Sequence, residues 1–288
     1  MSHTAKTPVY GVIGDPVAHS LSPVIQHAIA RAAGDDIVYT AFRVKPDEVA
    51  DAIRGAYTLG IQGLNVTIPH KKSVIPYLSR VDEAAREAGA VNTLLYTPDG
   101  YHGYNTDITG IARTLRAADV PLAGCTGIVL GGGGSAPAAV LALVQNGARR
   151  VYIVNRTLER AQMLAAGIGG LYPADVTAIP QGEMDSLPHA EVLIQTTSAG
   201  FGKQAGITPV ANPRFFERVG MVLDIIYTPW ETQLLRDARA CGSKCVNGFD
   251  MLVYQAMASY EIWRGKRLTD EAAARVLREL REFAGAAI

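Results

Sequence analysis

The segment that decides the fold class of this 288-residue chain is Gly127-Ile128-Val129-Leu130-Gly131-Gly132-Gly133-Gly134-Ser135. The uninterrupted apolar run Gly127–Leu130 is typical of a parallel strand that is buried on both faces of its sheet. The glycines follow this strand directly and lead into a predicted helix that extends to Gly147. Glycines at such a position let the backbone approach a pyrophosphate, whose charge lies against the helix N-terminal amides. The pattern predicts a dinucleotide-binding unit, with a flexible loop that binds nothing as the alternative.

The same alternation of strand and helix continues downstream of the glycines. We predict strands at Val151–Val154, Val192–Thr196 and Met221–Ile226, and a helix that begins at Leu158. A series of strand–helix–strand units forms a doubly wound parallel sheet. Residues 107–248 are therefore predicted to form a Rossmann-type domain.

The N-terminal part of the chain also alternates, and it predicts an open α/β domain over residues 1–106. The predicted strands are Tyr10–Gly14, Tyr39–Val44, Gly63–Ile68 and Ala90–Tyr96, the last followed by an Asp99-Gly100 hairpin turn. Two helices are predicted near the end, over Met251–Arg264 and Asp270–Phe283. We expect this tail, about residues 249–288, to return to the first domain.

Composition and charge exclude several classes of protein. Lys plus Arg (27) equal Asp plus Glu (27), so no overall field attracts nucleic acid or an anionic membrane. No apolar stretch reaches the roughly 18 residues that span a bilayer, and the polar start Met1–Thr7 lacks a signal-peptide core. The three cysteines form neither a disulfide framework nor a zinc motif, and the histidines form no metal constellation. A cytoplasmic protein without a metal is expected.

The residues after the Val151–Val154 strand bear on the choice of cofactor. NAD-binding units carry an acidic residue about 20 positions after the glycines, where it binds the ribose 2′-hydroxyl. Here that place is taken by Asn155-Arg156-Thr157, with Arg160 one turn later. A guanidinium suits a 2′-phosphate, so NADP(H) is preferred over NAD(H), although a solvated arginine after a strand is the simpler alternative.

Polar side chains accumulate near the ends of the N-terminal strands, where open α/β sheets bind ligands. Asn65 and Thr67 lie on one face of a strand, Asn92 lies in the next strand, and Ser20 and Ser22 follow the first. Ser22 is also predicted to cap the helix that Pro23 opens and Gly34 ends. Buried amides need hydrogen-bond partners, so packing alone does not account for the asparagines.

Two charged residues stand beside these polar clusters. Lys71 falls in the opening turn of a predicted helix, and Asp107 begins the predicted helix that opens the second domain. From pattern alone, Lys71 is better explained as a surface cation, like its neighbour Lys72. Asp107 is equally well explained as a helix N-cap. A serine–histidine–acid triad stays open too, although no G-x-S-x-G turn supports one.

Taken together, the motifs resemble those of the shikimate dehydrogenase family, in the expected order and over nearly the whole chain. They are Gly14-Asp15-Pro16-Val17-Ala18-His19-Ser20-Leu21-Ser22-Pro23, Asn65-Val66-Thr67-Ile68-Pro69-His70-Lys71-Lys72, Gly89-Ala90-Val91-Asn92-Thr93, Gly103-Tyr104-Asn105-Thr106-Asp107, Asn155-Arg156-Thr157, Thr196-Thr197-Ser198-Ala199-Gly200, Asp224-Ile225-Ile226-Tyr227, Asn247-Gly248 and Met251-Leu252-Val253-Tyr254-Gln255.

The resemblance implies an NADP-dependent dehydrogenase that interconverts 3-dehydroshikimate and shikimate, with Lys71 and Asp107 as the catalytic acid/base pair. The implied substrate-binding residues are Ser20, Ser22, Thr67 and Tyr227 for the carboxylate, Asn92 and Gln255 for ring hydroxyls, and Asn65 in the pocket lining. The implied NADP-binding residues are Gly131, Gly132, Gly133, Gly134 and Ser135 at the pyrophosphate, Asn155, Arg156, Thr157 and Arg160 at the 2′-phosphate, Ile225 and Gly248 at the nicotinamide, and Glu83 from the first domain.

The chain departs from the family pattern at three positions near the expected cofactor site. Gly132 stands where alanine is usual, Pro137 where a helix former is usual, and Gln195 where asparagine is common. Two alternatives stay open: a quinate/shikimate or aminoshikimate dehydrogenase that uses NAD, and a non-catalytic shikimate or quinate sensor. The expected partner is the small-molecule substrate, and the chain is expected to be a monomer or homodimer.

Overall fold

The computed structural model describes residues 4–287, which form two compact units, each built on a six-stranded sheet. The first unit comprises the chain up to Thr106 together with Val253–Ala287, and the second comprises Asp107–Leu252. Both combine helices with largely parallel strands, which confirms the predicted α/β class.

The first unit begins with strands and helices in alternation. Its elements are β1 (Val9–Gly14), α1 (Ser22–Ala33), β2 (Val38–Arg43), α2 (Val49–Thr58), β3 (Gly63–Val66), β4 (Arg80–Val81), α3 (Glu83–Ala88), β5 (Thr93–Thr97) and β6 (Gly100–Tyr104). The strand order is β2-β1-β3-β5-β6-β4, with β1 parallel to β2 and β3, and β5 antiparallel to its neighbours. The β5–β6 hairpin turns at Pro98-Asp99, one residue before the predicted Asp99-Gly100 turn, because Gly100 pairs with Thr97 in the sheet.

The second unit has the strand order of a doubly wound dinucleotide-binding fold. Its elements are α4 (Thr106–Ala117, whose first residue belongs to the first unit), β7 (Thr126–Leu130), α5 (Ala136–Val144), β8 (Arg150–Asn155), α6 (Leu158–Ile168), β9 (Asp175–Pro180), β10 (Ala190–Gln195), β11 (Val219–Asp224), α7 (Gln233–Ala240) and β12 (Lys244–Val246). All strands are parallel, in the order β12-β11-β10-β7-β8-β9. The chain order therefore reverses between β7 and β10, where such sheets bind ligands.

The C-terminal helices complete the first unit, as predicted. They are α8 (Phe249–Arg264), which belongs to the first unit from Val253 onward, and α9 (Asp270–Ala287). The indole Nε1 of Trp263 donates to the Leu94 carbonyl over 2.8 Å, and the ring stacks on Tyr10 with centroids 4.8 Å apart. Helix α9 packs beside α1, where Arg275 donates to the Ala32 carbonyl. A C-terminal segment thus covers the N-terminal sheet.

None of the helices in the part of the chain that the structure describes combines the length and the apolar character needed to cross a membrane.

A methyl group at Gly63 tests this packing. The Cβ of Gly63→Ala would lie 2.3 Å from the Trp263 indole nitrogen, so the ring must move away from the sheet. Overpacking of this kind should lower the free energy of unfolding by about 1–3 kcal/mol, measured by urea unfolding followed by circular dichroism. The matched control is Gly55→Ala in α2, where the added Cβ meets nothing within 4 Å, and a gain of up to about 1 kcal/mol is expected. Equal stabilities of the two variants would contradict the described contact.

Candidate functional site

A cavity of about 500 Å³ opens at the carboxyl ends of β7, β8 and β10 in the second unit. Three predicted glycines line it, together with the turn after β10 and a loop before β11. The lining residues are Leu130, Gly131, Gly132, Gly133, Val154, Asn155, Arg156, Arg160, Gln181, Met184, Thr196, Thr197, Ser198, Ala199, Gln204, Ile207, Thr208 and Pro209. Its size and place suit an elongated ligand lying across the switch point of the sheet.

The glycine turn packs closely at its first two positions, and the first of them excludes a side chain. Gly131 has a φ of +116°, and a Cβ there would lie 2.6 Å from the Thr196 hydroxyl oxygen. A Cβ on Gly132 would lie 3.1 Å from the Asn155 amide nitrogen and 3.2 Å from the Arg160 Cβ. The glycine at position 132, where alanine is usual, therefore relieves a tight contact on the cavity wall.

Residues 133–135 connect the glycine turn to the start of α5. Gly133 and Gly134 have open space around their Cα atoms, which leaves room for a ligand beside the backbone. Ser135 is the N-cap of α5, and Pro137 is the second residue of that helix. Proline is tolerated there because an N–H in the first helical turn has no partner within the helix.

Two arginine side chains line the same cavity. Arg156 and Arg160 are exposed and line it, and the Asn155 amide fixes their turn by donating to the Thr157 carbonyl over 2.8 Å. Thr157, the N-cap of α6, does not line the cavity. Among the described residues that form the wall, none carries a carboxylate, so the local charge favours an anionic ligand.

The buried side chain of Gln195 shapes the turn after β10. Its Nε2 donates to the carbonyls of Thr197 (3.3 Å) and Ala199 (3.0 Å), and its Oε1 accepts from the Thr197 N–H (2.8 Å). The Thr196 hydroxyl donates to the Leu130 carbonyl over 2.7 Å and joins this turn to β7. A glutamine in place of asparagine thus supplies three bonds that hold one wall of the cavity.

Ile225 and Gly248 lie against each other, next to this turn. The Ile225 N–H donates to the Gln195 carbonyl over 3.2 Å. A Cβ on Gly248 would lie 2.0 Å from the Ile225 carbonyl oxygen, so only glycine fits there. Neither residue belongs to the cavity wall, and the predicted Tyr227 is half-buried, with its pKa raised by burial.

In the first unit, the predicted asparagines belong to one buried hydrogen-bond network. Asn65 Oδ1 accepts from the Tyr39 hydroxyl over 2.8 Å, and its Nδ2 donates to the Ser259 hydroxyl over 2.9 Å. Asn92 Oδ1 accepts from the backbone N–H and hydroxyl of Thr106 over 2.8 and 3.1 Å. Predicted Gln255 joins through its Oε1, which accepts from the same hydroxyl over 3.4 Å. The structure therefore brings Asn65, Asn92 and Gln255 together.

The serines that follow β1 lie near this network. The Ser20 hydroxyl donates to the Ser22 hydroxyl over 3.0 Å, and both side chains are half-buried. Burial raises the pKa of Tyr39, and the adjacent Ser22 hydroxyl opposes that effect. The prediction that Ser22 caps α1 is wrong: the N-cap is Leu21, and no side chain caps that end. The Ser22 hydroxyl faces Ser20 instead.

Lys71 lies in a compact turn, so the prediction of a helix around it is wrong. Residues 67–74 form successive turns, in which the His70 N–H donates to the Thr67 carbonyl and the Val74 N–H to the His70 carbonyl. Pro69 and Pro76 bracket the segment, and proline restricts the residue before it, which leaves too few positions for an α-helix. The Lys71 carbonyl accepts from the Val91 N–H over 2.8 Å, which places the half-buried lysine beside the start of the network.

The remaining predicted residues occupy three separate places. Half-buried Thr67 follows β3, and its N–H donates to the Ile13 carbonyl over 2.9 Å. Asp107 is buried and is the second residue of α4, so it is not the helix N-cap. Glu83 is exposed at the start of α3, where Asp82 provides the cap.

Sequence reasoning missed several residues of both sites. In the first unit, these are Tyr39, Thr93, Thr106 and Ser259, all buried and all bonded to predicted residues. In the second unit, the cavity-lining residues that were not predicted lie in the short 3-10 helix that begins at Gln181 and in the loop around Thr208. No periodicity of the sequence marks either segment as part of a site. One signal was available: Ser259 is a polar residue one helical turn after Gln255 in an otherwise apolar stretch.

Three family models match the chain in sequence order. They are the shikimate dehydrogenase substrate binding domain at residues 12–94, the shikimate / quinate 5-dehydrogenase at residues 114–218, and the shikimate 5′-dehydrogenase C-terminal domain at residues 248–278. The first and last of these lie mostly within the first unit, and the middle one lies within the second.

Individual relatives match over nearly their full length. The shikimate dehydrogenase (NADP(+)) of Moorella thermoacetica is 40% identical over 278 residues, covering 96% of this chain and 94% of that protein. The crystal structure of shikimate dehydrogenase from Aquifex aeolicus is 37% identical with a TM-score of 0.83, covering 96% and 100%. The Thermus thermophilus enzyme in complex with NADP(H) and shikimate is 30% identical with a TM-score of 0.83, covering 95% and 99%.

Buried Asp224, at the end of β11, makes the stability of the protein depend on pH. Burial raises the pKa of its carboxyl to about 6, although the Thr232 hydroxyl (2.7 Å) and the Ile226 N–H (3.1 Å) donate to it and oppose that rise. Because this pKa lies above the ordinary value of 3.8, the contribution to stability is complete below pH 4 and is lost as the pH rises through about 6.

Asp224→Asn removes this ionisation. The free energy of unfolding of the variant, relative to that of the natural chain, should therefore rise between pH 4 and pH 8 by up to about 3 kcal/mol. Urea unfolding at both pH values measures the change, and comparing the two cancels any pH-independent cost of the amide. Parallel pH curves for the two proteins would show that Asp224 does not titrate in this range.

Proposed function

The chain belongs to the shikimate dehydrogenase family, and we propose that it is an NADP-dependent oxidoreductase that interconverts 3-dehydroshikimate and shikimate in aromatic amino acid biosynthesis. The observation that carries the proposal is the cavity at the switch point of the second sheet, which is lined by the glycine turn and by two arginine side chains. The buried amides of the first unit offer hydrogen-bond donors and acceptors that suit a polyhydroxylated substrate.

The second unit, residues 107–248, is proposed as the NADP-binding domain. Gly131–Ser135 would hold the pyrophosphate, because open space at Gly133 and Gly134 lies beside the start of α5. The turn Asn155–Thr157 and Arg160 would hold the 2′-phosphate, with the guanidinium groups as bidentate donors. Ile225 and Gly248 would flank the nicotinamide, and Glu83 of the first unit would approach the cofactor. When bound, NADPH supplies the hydride.

The first unit, residues 1–106 with about 249–288, is proposed as the substrate-binding catalytic domain. Ser20, Ser22 and Thr67 would bind the substrate carboxylate with Tyr227 of the second unit, since hydroxyl groups are good donors to an anion. Ring hydroxyls would be bound by Asn92 and Gln255, and Asn65 would line the pocket. The network among these amides supports the assignment, because it holds them in fixed orientations.

Lys71 and Asp107 are proposed as the acid/base pair. In the reduction of 3-dehydroshikimate, the Lys71 ammonium would give a proton to the C3 oxygen as negative charge develops on it. Asp107 would orient that ammonium and favour its protonated form. In the oxidation of shikimate, Lys71 would take the hydroxyl proton. The turn that holds the Lys71 carbonyl on Val91 limits the motion of the lysine backbone.

The proposed location is the cytoplasm, and the proposed assembly is a monomer or homodimer. The three free cysteines agree with a reducing compartment. The balance of 27 basic and 27 acidic residues gives no reason to expect a nucleic acid or membrane partner.

A quinate-oxidising enzyme is the second candidate, because the model matching residues 114–218 describes a shikimate / quinate 5-dehydrogenase. Initial rates with shikimate and quinate, each with NADP⁺ and NAD⁺, separate the candidates. The highest kcat/KM is expected for shikimate with NADP⁺. A higher value for quinate would favour the second candidate, and shikimate binding without any turnover would indicate a sensor.

Replacing Lys71 with alanine tests the proposed acid/base role. We expect kcat for shikimate oxidation to fall by about 10²–10⁴-fold with a much smaller change in the KM for shikimate, because proton transfer belongs to the chemical step. Lys72→Ala is the matched control, since Lys72 is the exposed neighbour in the same turn, and it should retain the natural kcat. An unchanged kcat in Lys71→Ala would remove Lys71 from the mechanism.

Replacing both Arg156 and Arg160 with alanine tests the cofactor assignment. The KM for NADP⁺ should rise about 10–100-fold, because charge-assisted hydrogen bonds to a phosphate are lost, whereas the KM for NAD⁺ should hardly change. Arg214→Ala, at an exposed arginine outside the cavity wall, is the control and should leave both values unchanged. Parallel increases for the two cofactors would contradict recognition of the 2′-phosphate.

A further inference from the structure

The Ser259 hydroxyl joins several members of the buried network in the first unit. It lies in α8, one turn after Gln255, and is fully buried. Its hydroxyl oxygen has four partners: the Asn65 amide nitrogen (2.9 Å), the Thr93 hydroxyl (2.8 Å), the Thr106 hydroxyl (3.1 Å) and the Gln255 carbonyl (3.1 Å). These partners come from separate strands and helices of the unit.

The directions of these bonds follow from the chemistry of the groups. The Gln255 carbonyl is only an acceptor, so the Ser259 proton goes to it, and the serine oxygen accepts from the Asn65 amide. Thr93 and Thr106 each carry one hydroxyl proton, for which the Ser259 oxygen and Asn92 Oδ1 are both acceptors. Asn65 Nδ2 faces the Asn92 carbonyl (3.3 Å), which fixes the amide with its nitrogen toward Ser259 and its oxygen toward Tyr39. Ser259 is thus the nearest acceptor that holds the Asn65 amide in this orientation.

The same hydroxyl also acts on the other two predicted amides. Thr93 and Thr106 both bond to Ser259 and also to Asn92 Oδ1, at 3.0 and 3.1 Å. Ser259 bonds the carbonyl of Gln255, whose side-chain oxygen lies 3.4 Å from the Thr106 hydroxyl. The Ser259 oxygen therefore contacts Asn65 directly, and through Thr93 and Thr106 it is linked to Asn92 and Gln255.

We propose that Ser259 is a positioning residue that sets the affinity for the hydroxylated ring of the substrate, by holding these three amides in the orientations that bind it. The inference rests on the proposed function, since it takes the amides as substrate ligands. Removing the serine hydroxyl takes from Asn65 Nδ2 its nearest acceptor in a buried site and leaves the longer contacts to the Asn92 carbonyl and the Thr93 hydroxyl. The amides then lose part of what fixes their orientation toward the substrate.

Steady-state kinetics of Ser259→Ala test the proposal. The KM for shikimate should rise about tenfold, while kcat and the KM for NADP⁺ stay within about twofold, because the affected groups bind the ring and take no part in proton transfer. Ser259→Cys keeps a similar volume and a weaker hydrogen-bonding group, so it should give an intermediate KM. Unchanged KM values, or equal increases for substrate and cofactor, would overturn the proposal.

A matched control and a double variant separate positioning from general stability. Ser243→Ala removes another buried hydroxyl, which donates to the Phe216 and Val219 carbonyls of the second unit, and should lower the melting temperature without raising the KM for shikimate. In an Asn65→Ala background, the effect of Ser259→Ala on that KM should shrink, because part of its action passes through Asn65. Full additivity would overturn the coupling.

The rate at which the natural chain oxidises shikimate tests the proposed function itself. No oxidation of shikimate by the natural chain would overturn both proposals. Oxidation at a normal rate, with the same KM in Ser259→Ala, would overturn the role of Ser259 alone.

Discussion

Buried amides and hydroxyls must find hydrogen-bond partners, and in the first unit this requirement joins residues that lie far apart in the chain. Asn65 on β3 and Ser259 on α8 are 194 positions apart and bond directly over 2.9 Å. An unsatisfied amide at this depth would cost about 1–3 kcal/mol, so β3, β5 and α8 must meet in one arrangement. The indole of Trp263 strengthens that arrangement by donating to the Leu94 carbonyl from the same helix.

In the second unit the governing constraint is the direction of the strands. Because β7, β8 and β10 run parallel, their carboxyl ends meet at one edge and bring Gly131, Asn155 and Thr196 together. Close backbone approach adds to the hydrogen bonds of Gln195 and Thr196: at Gly131 and Gly248 a methyl group would overlap a neighbouring atom. Close packing at glycines thus has a larger part in the second unit than in the amide network of the first.

The parts of the fold that could be predicted are those in which local pattern and tertiary packing agree. The apolar run before the glycines and the Pro23–Gly34 helix carry strong local signals, and both elements form nearly as predicted. The strands that escaped prediction, such as Arg80–Val81 and Asp175–Pro180, are short or partly polar members of sheet edges, where alternation is weak. The polar residues around Lys71 are compatible with a helix, but Pro69 and Pro76 restrict the backbone on both sides of them, and the segment forms turns instead.

For the candidate site, residues in motifs were easier to find than the residues that support them. Asn65 and Asn92 could be selected because an amide in a strand is unusual, whereas a serine within an apolar helix, such as Ser259, fits ordinary packing equally well. Its partners lie on strands whose pairing with α8 no local pattern reveals. The sequence shows that Gln195 replaces an asparagine. Its three hydrogen bonds follow from the path of the turn after β10, which no sequence pattern specifies.

The division of the first unit into two chain segments affects the order in which the protein can fold during synthesis. Residues 107–252 are continuous, so this unit can complete its sheet as soon as it leaves the ribosome. The sheet of the first unit, although translated earlier, lacks the cover of Trp263 and the acceptor for Asn65 until α8 emerges. The N-terminal sheet can therefore be completed only after the C-terminal helices have been synthesised, and until then the face that Trp263 covers stays exposed.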